Sequence, residues 1–449
     1  MTMSLKTSLA KLLGRSSYWF LHTFRGGGSS FPGKIALKLD PQFLRSFGKS
    51  YDVIIVTGTN GKTMTTSLLT KILDQKYDQV LTNPSGSNMV QGIVTAFLAA
   101  KKPQGRALAV LEVDEANVAP ICAQLTPKAF VLTNIFRDQM DRYGEIYTTY
   151  QKIVDGIKLA PAATLIVNGD AAIFNDRQLP NPIIYYGFAN DDSETDLRAS
   201  FNSDGVLCPV CHHILHYHSI TYANLGDYFC PNCGFHRPEL TDKVTAVEEL
   251  RPNFSKFMIN GTPFKIHVGG MYNIYNALAA YSAATYLAVA PAQIVQALRH
   301  DEQVFGRQEV IKLNGKHATI ILVKNPVGLN QVFDLIKTDP DPFALGFLLN
   351  ANPADGRDTS WIWDGEFEDL PLTAIPEILV GGERQADIKL RFEVAEAPQA
   401  KIKETQSLSD FITQAGQIPN EKIYILTTYT AMLALRKLLA EQGFIAAGY

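Results

Sequence analysis

Val53-Ile54-Ile55-Val56-Thr57-Gly58-Thr59-Asn60-Gly61-Lys62-Thr63 is the stretch that decides the fold. The apolar β-branched run predicts a buried strand, the glycines a tight turn, and the residues from Lys62 onward a helix. Strand, glycine turn and helix start, in that order, make a cradle for phosphate. Glycines let backbone N–H groups approach the anion, and the helix adds the positive end of its dipole. Within Thr59, Asn60, Gly61, Lys62 and Thr63, the Lys62 ammonium is placed to reach the terminal phosphates of ATP. The Thr63 hydroxyl is placed to bind Mg²⁺. A strict Walker A box needs glycine where this chain has Val56, so the loop is a shorter form.

Outward from this loop the pattern repeats. Leu108–Val113, Phe130–Asn134 and Leu165–Asn168 read as buried strands separated by helical stretches. That alternation predicts an α/β fold with a mostly parallel sheet and right-handed crossovers. Ligands of such sheets bind at the carboxyl ends of strands, where Thr57, Glu112 and Asn134 fall. Glu112, followed by Asp114 and Glu115, is the candidate carboxylate for Mg²⁺ beside the phosphates.

The chain has 449 residues, 46% of them hydrophobic, and a net charge of −3. A large core is within reach, and a general polyanion-binding role is not implied. No uninterrupted apolar stretch is long enough to span a bilayer. Residues 1–50 form a short N-terminal segment in which Leu9, Leu12, Leu13, Trp19 and Phe20 alternate with Lys6, Lys11, Arg15 and Arg25. It reads as a helix packed on the main domain, with a membrane-surface helix as the other reading. The core ATP-binding domain is expected over 51–302 and a second α/β domain over 303–449. Strands are expected at Thr319–Val323, Phe343–Leu349 and Ile423–Thr427, and helices at Asn273–Leu287 and Thr430–Glu441.

An insertion at about 205–237 breaks the first domain. It holds Cys208-x-x-Cys211 and Cys230-x-x-Cys233, four of the five cysteines. Two tight turns, each presenting two thiolates, would complete a tetrahedron around Zn²⁺ and leave no open position, so a structural zinc is expected, with redox cysteines or an iron–sulfur site as the alternatives. Cys122 stands alone and reads as a buried apolar filler.

Several segments beyond the loop resemble the Mur ligase family, with its central ATPase domain. Thr133–Arg142 resembles the family's Asn-x-x-x-Asp-His-x-Asp-Arg stretch, with Gln139 where the family has a metal-binding histidine. The family's carbamylated lysine aligns with Val154, two residues from Lys152. Asn273-Ile274-Tyr275-Asn276-Ala277 resembles the helix start beside the adenine, and Arg307 falls where an arginine contacts the phosphates. Lys324-Asn325 occupies the place of a ribose-binding aspartate.

The four-cysteine insertion, the segment Asp355-Gly356-Arg357-Asp358-Thr359-Ser360-Trp361-Ile362-Trp363-Asp364 and the short N-terminal segment resemble one branch of that family, the MurT subunits of lipid II isoglutaminyl synthase. The resemblance implies a cytoplasmic enzyme at the inner face of the cell membrane, working with a glutaminase partner, GatD. It would phosphorylate the α-carboxylate of D-glutamate in the lipid II stem peptide and amidate it with ammonia from the partner. Lys62 and Glu112 then serve catalysis, and Asp355 completes the partner's Cys-His pair, with Asp358 the second choice. A peptide-adding Mur or folylpolyglutamate-type ligase is the alternative. A zinc-ribbon binding module that uses ATP as a switch is the reading from another class.

Overall fold

The computed structural model describes all residues except 1–4, 25–27, 49, 84–86, 102, 104, 106, 139–144, 177, 191–194, 200–204, 300–307 and 446–449. The expected α/β architecture is present. The first domain is built on β1 (Tyr51–Thr57), β2 (Val80–Thr82), β3 (Ala107–Glu112), β4 (Pro127–Leu132), β5 (Thr164–Asn168) and β6 (Ile183–Phe188). Neighbours among these six strands are parallel. After the ribbon hairpin, β7 (His216–Tyr222) and β8 (Leu225–Phe229), come β9 (Asp242–Arg251), β10 (Phe254–Ile259) and β11 (Thr262–Ile266). β9 joins β6 in parallel, and β10 and β11 continue the sheet antiparallel.

The strand order is β11-β10-β9-β6-β5-β4-β1-β3-β2. The chain leaves β1 toward β2 and β3 on one side, then returns to place β4 on the other. The loops after β1 and β4 therefore part at a topological switch point, where such sheets open a crevice. Val53–Val56 are buried, as a strand covered on both faces requires. The following helix, α3 (Lys62–Leu73), begins within the quoted motif; α1 (Leu5–Phe24), α2 (Phe31–Leu39) and α4 (Val90–Ala99) complete the helices used below. α1 packs on α2 and α4, with Thr7 donating to Asp40 at 2.6 Å and Arg15 donating to the carbonyls of Leu98, near the end of α4, and of Ala100, just beyond it.

The second sheet contains β12 (Glu309–Leu313), β13 (Lys316–Leu322), β14 (Phe343–Leu348), β15 (Ile378–Gly381), β16 (Ile402–Glu404) and β17 (Lys422–Thr427). Its order is β12-β13-β17-β14-β15-β16, parallel except for the β12–β13 hairpin. Separate apolar clusters cover its two faces.

The ribbon lies between β6 and β9 in the chain and has its own small core of Cys208, Leu215, Tyr217, Tyr228 and Cys230. A buried polar knot fastens it to the domain. Asp170 accepts from Arg237 at 2.8 Å, from the Tyr275 hydroxyl at 2.6 Å and from the Phe188 N–H at 2.8 Å. Arg237 also meets Asp227 at 3.0 Å. Burial pushes the Asp170 carboxyl upward, while Arg237 and the hydrogen bonds oppose it.

Candidate functional site

The loop after β1 is shaped by its glycines. Gly58 and Gly61 take φ values of 127° and 86°, which L side chains rarely adopt. A Cβ on Gly61 would fall 2.0 Å from Asn276 Oδ1, and one on Gly58 would fall 2.3 Å from Thr133 Oγ1. Gly61 caps α3 without any side-chain hydrogen bond to the first turn, so the helix N-terminus is left open to an anion.

The loop after β4 braces the first. Thr59 N–H donates to Asn134 O at 2.8 Å, and Asn60 N–H donates to Asn134 Oδ1 at 2.9 Å. The Asn134 amide returns a bond to Asn60 O at 3.1 Å, joined there by the Thr133 hydroxyl at 2.8 Å. The Asn134 side chain thus holds the loop's shape.

Lys62 is buried and its ammonium donates to Gly58 O, to Thr59 O and, at 3.0 Å, to Glu115 Oε1. Burial alone would lower its pKa, but Glu115, Asp114 and Glu112 together leave it raised. Burial raises the Glu115 carboxyl, against the attraction of Lys62. Sequence reading placed Glu115 beside Glu112 without a task; the structure makes it the partner of Lys62. Glu112, at the end of β3, is buried and accepts from Asn88 Nδ2 at 3.0 Å. Asp114 caps the next turn through Ala116 N–H at 3.2 Å. Thr63, one residue into α3, is half-buried.

Beside the loop, between the two sheets, opens a crevice. Asn60, Gly61, Asn134, Asn273, Asn276 and Tyr272 line it from the first domain, and Gln308, Lys324, Asn325 and Gln331 from the second. The Asn273 amide donates to Gly269 O at 2.7 Å and its oxygen accepts from Asn276 at 3.1 Å. Both expected asparagines therefore reach the crevice wall as a linked pair. Lys324 donates to Thr59 O at 3.3 Å and pairs with Asp138, while the Asn325 and Asn60 amides exchange bonds of 3.0 and 3.3 Å. Lys324 and Asn325 thus tie the second domain directly to the loop after β1. Arg307, Gln139 and Asp141 lie outside the described residues. Val154 is buried in the helix Ile146–Ile157 and offers no metal ligand.

Tyr222 was not singled out from sequence. It ends the first ribbon strand, yet lines the crevice, with its ring 5.6 Å from Tyr275 and 6.1 Å from Phe136. Nothing local marked it, because its place depends on how the ribbon docks.

The four cysteines converge. Their Sγ atoms all lie within 4.8 Å of one another, with Cys208–Cys233 at 3.6 Å and Cys211–Cys230 at 3.5 Å. A tetrahedron with Zn–S near 2.3 Å has edges of about 3.8 Å, so the cluster fits zinc. Hydrogen bonds from Asn232 and from the backbone at His213 pull the Cys211 thiol down to about 6. Cys122 is buried, and burial pushes its thiol up to about 12.

The segment after β14 folds around Asp355, which is buried. Its carboxylate accepts from Thr430 N–H at 2.6 Å, from the Thr430 hydroxyl and from Asn352 N–H at 3.0 Å. Asp358 is exposed and accepts from Ser360 N–H at 2.8 Å. The segment's end reaches the first domain, where Asp364 pairs with Arg137.

The Mur ligase middle domain family matches residues 56–234, and the MurT ligase C-terminal family matches residues 322–432. The MurT subunit of the glutamine-hydrolysing lipid II isoglutaminyl synthase of Streptococcus pneumoniae is 49% identical over 444 residues, 99% of each chain. Among solved structures, a pseudomurein peptide ligase type C from Methanothermus fervidus superposes with TM-score 0.67 at 20% identity, over 90% of this chain and 81% of that one. The MurF ligase from Thermotoga maritima in complex with ADP gives TM-score 0.61 at 14% identity, over 91% and 84%.

Proposed function

This chain belongs to the MurT family of Mur-type ligases, and on that premise we propose that it is the ATP-dependent subunit of a lipid II isoglutaminyl synthase. The carboxylate it activates is the α-carboxylate of D-glutamate in the stem peptide, and the nucleophile is ammonia released from glutamine by a GatD partner. The reaction belongs to peptidoglycan synthesis and takes place at the inner face of the membrane that carries the lipid-linked substrate.

The observation that carries this reading is the phosphate loop: a positive-φ glycine at an uncapped helix start, a buried lysine, and a crevice opening beside it toward the second domain. A carboxylate repels nucleophiles. Transfer of a phosphoryl group to its oxygen forms an acyl–O–P bond as the O–P bond to ADP breaks, and this installs a leaving group. Ammonia then adds at the acyl carbon, phosphate leaves, and the amide remains after loss of a proton.

Lys62 supplies positive charge to the transferring phosphoryl group. Because its three acceptors are all near the loop, it is held in place before the substrate arrives. The helix start takes phosphate oxygens, and Arg307 is assigned to the same phosphates. Asn273 and Asn276 face the base from the crevice wall, while Asn134 keeps the loop in register. Mur ligases use Mg²⁺, and here Thr63 and Glu112 would hold it, where it supplies Lewis-acid charge to the phosphates. The four cysteines would hold one structural Zn²⁺. Asp355, held by Thr430 and Asn352, is assigned to orient the histidine of the glutaminase partner.

The experiment is amidation of lipid II by the chain with a GatD-type glutaminase, ATP and glutamine, read as D-isoglutamine by mass spectrometry. Amidation that consumes ATP supports the reading. Addition of an amino acid without any glutaminase would replace it with a peptide-adding ligase.

A further inference from the structure

The outer face of α1 is unlike the rest of the molecular surface. Its inner face, Thr7, Ala10 and Gly14, is buried against the domain. Its outer face carries Leu5, Leu9, Leu12, Trp19, Phe20 and Phe24, all exposed, with Trp19 at 63% and Phe24 at 64%. Leu5, Leu9, Leu12, Phe20 and Phe24 recur at helical spacing and form one apolar stripe along the 20-residue helix. A surface helix normally turns such a stripe inward; this one is apolar outward.

Charge points to the occupant. The first fifty residues contain eight Lys and Arg and one acid, Asp40, a net +7 that leaves −10 for the rest of a chain at −3. α1 itself contains no acidic residue. Lys6 on α1, and Lys34 and Lys38 on the adjoining α2, are exposed. An apolar stripe on a cationic segment, with aromatic rings at one end, suits the boundary between anionic headgroups and acyl chains. No described helix is long and apolar enough to cross a membrane, so the fit is to a helix lying in the plane of the surface.

The stripe is also next to the chemistry. Just before α2, the Ser30 hydroxyl lies 3.2 Å from that of Ser87, in the loop that leads into α4. The same loop contributes Asn88, which donates to Glu112 at 3.0 Å. The aromatic end of α1 therefore lies on the side of the domain that carries the carboxyl ends of the strands.

We infer that the outer face of α1 is a membrane-docking surface that seats the enzyme on an anionic bilayer, with the carboxyl end of its first sheet toward the lipid-linked substrate. The substrate part rests on the reading above; the surface rests on the stripe and the charge.

The test is flotation of the purified full chain with vesicles of phosphatidylglycerol and phosphatidylcholine in equal parts, and with phosphatidylcholine alone. The anionic vesicles should carry the protein, added salt should weaken binding, and Trp19 emission should shift to the blue, a shift that Trp19→Phe removes. A combined Leu9→Ser, Leu12→Ser and Phe20→Ser variant should lose binding by about tenfold or more while keeping its zinc and thermal midpoint. About half or more of each of these side chains meets solvent, so their loss costs the fold little.

Failure to float, or floating that the triple variant retains, overturns the inference. So does a solution dimer that the same substitutions dissociate, because the stripe then serves a second copy. Amidation of a soluble stem-peptide acceptor separates the two readings. Amidation without vesicle binding removes the surface alone, and vesicle binding without amidation of any acceptor removes the reaction and leaves the surface standing.

Discussion

The Lys62 ammonium lies 3.0 Å from the Glu115 carboxylate, and both side chains are buried. Neither charge is tolerable there alone. Removing one partner of a buried pair costs about 3–5 kcal/mol, because it strands the other. Lys62→Ala should therefore lower stability by about 3 kcal/mol and amidation by about a hundredfold or more. Glu115→Gln in the Lys62→Ala background should restore most of the stability and none of the activity. Thermal unfolding and amidation, measured on the same three variants, check this; an active double variant would show that Lys62 is structural only.

The same pair sets a pH dependence. Burial raises the Glu115 pKa in the fold above its unfolded value. The folded state then binds that proton more tightly. The contribution of this group favours the fold below the ordinary glutamate range and is lost as pH rises through the raised value. Catalysis runs the other way, since a neutral Glu115 no longer anchors Lys62. Amidation should fall on acidification, with an inflection above the ordinary glutamate range. Glu115→Gln should abolish that inflection, and a pH–rate profile of the variant that keeps it would assign the limb to another group.

Zinc should matter at the crevice as well as in the ribbon. Cys208, Cys211, Cys230 and Cys233 organise the hairpin whose first strand ends at Tyr222, which lines the crevice beside Tyr272 and Asn273. Metal analysis should find about one zinc per chain, matching a closed four-thiolate site. Its removal with a chelator should weaken ATP binding together with ribbon order. Tyr222→Ala should weaken ATP binding by about tenfold, the scale of one aromatic contact, while zinc stays bound. Calorimetric titration of the nucleotide, with metal content measured on the same sample, decides it: equal ATP affinity with and without zinc would separate the ribbon from the crevice.

Much of this was readable from the chain because the signals are local. Val53–Val56 buries both faces, so its strand shows as an unbroken apolar run, and Gly61-Lys62 marks a turn whose geometry only glycine meets. The cysteine pairs needed only spacing. β9 was not legible, because only Asp242 and Val244 of it are buried and the rest is exposed or half-buried, so no apolar run marks it. Glu115 and Tyr222 were missed or left without a task, and Lys324 was given only the place of a ribose contact, for a different reason. Their roles come from partners far away in sequence: Lys62, Asp138 with Thr59, and Tyr275. Local propensity carries no trace of such pairings. The outward stripe of α1 lay between the two cases: its periodicity was visible, but which side it faced was fixed only by Ala10 and Gly14 packing inward.

Asp355 and Asp358 differ in what they are free to do, and that difference is testable. Three hydrogen bonds fix Asp355, from Thr430 N–H, the Thr430 hydroxyl and Asn352 N–H, so its carboxylate is oriented before any partner docks. A fixed carboxylate is what a catalytic imidazole needs for the right tautomer and for a stabilised charged form. Asn at this position keeps the size and one acceptor but removes the charge. Asp355→Asn should therefore cut glutamine-dependent amidation by about a hundredfold or more, in line with loss of a triad carboxylate. It should leave amidation from added ammonium near the parent rate, since Lys62, Glu112 and the crevice are untouched. Asp358→Asn should leave both nearly unchanged. Thr430→Val, which removes one of the three bonds and keeps the charge, should fall between them with glutamine and match the parent with ammonia. Loss of both activities in Asp355→Asn would mean the loop has collapsed, and loss of glutamine use in Asp358→Asn alone would move the role to the exposed aspartate.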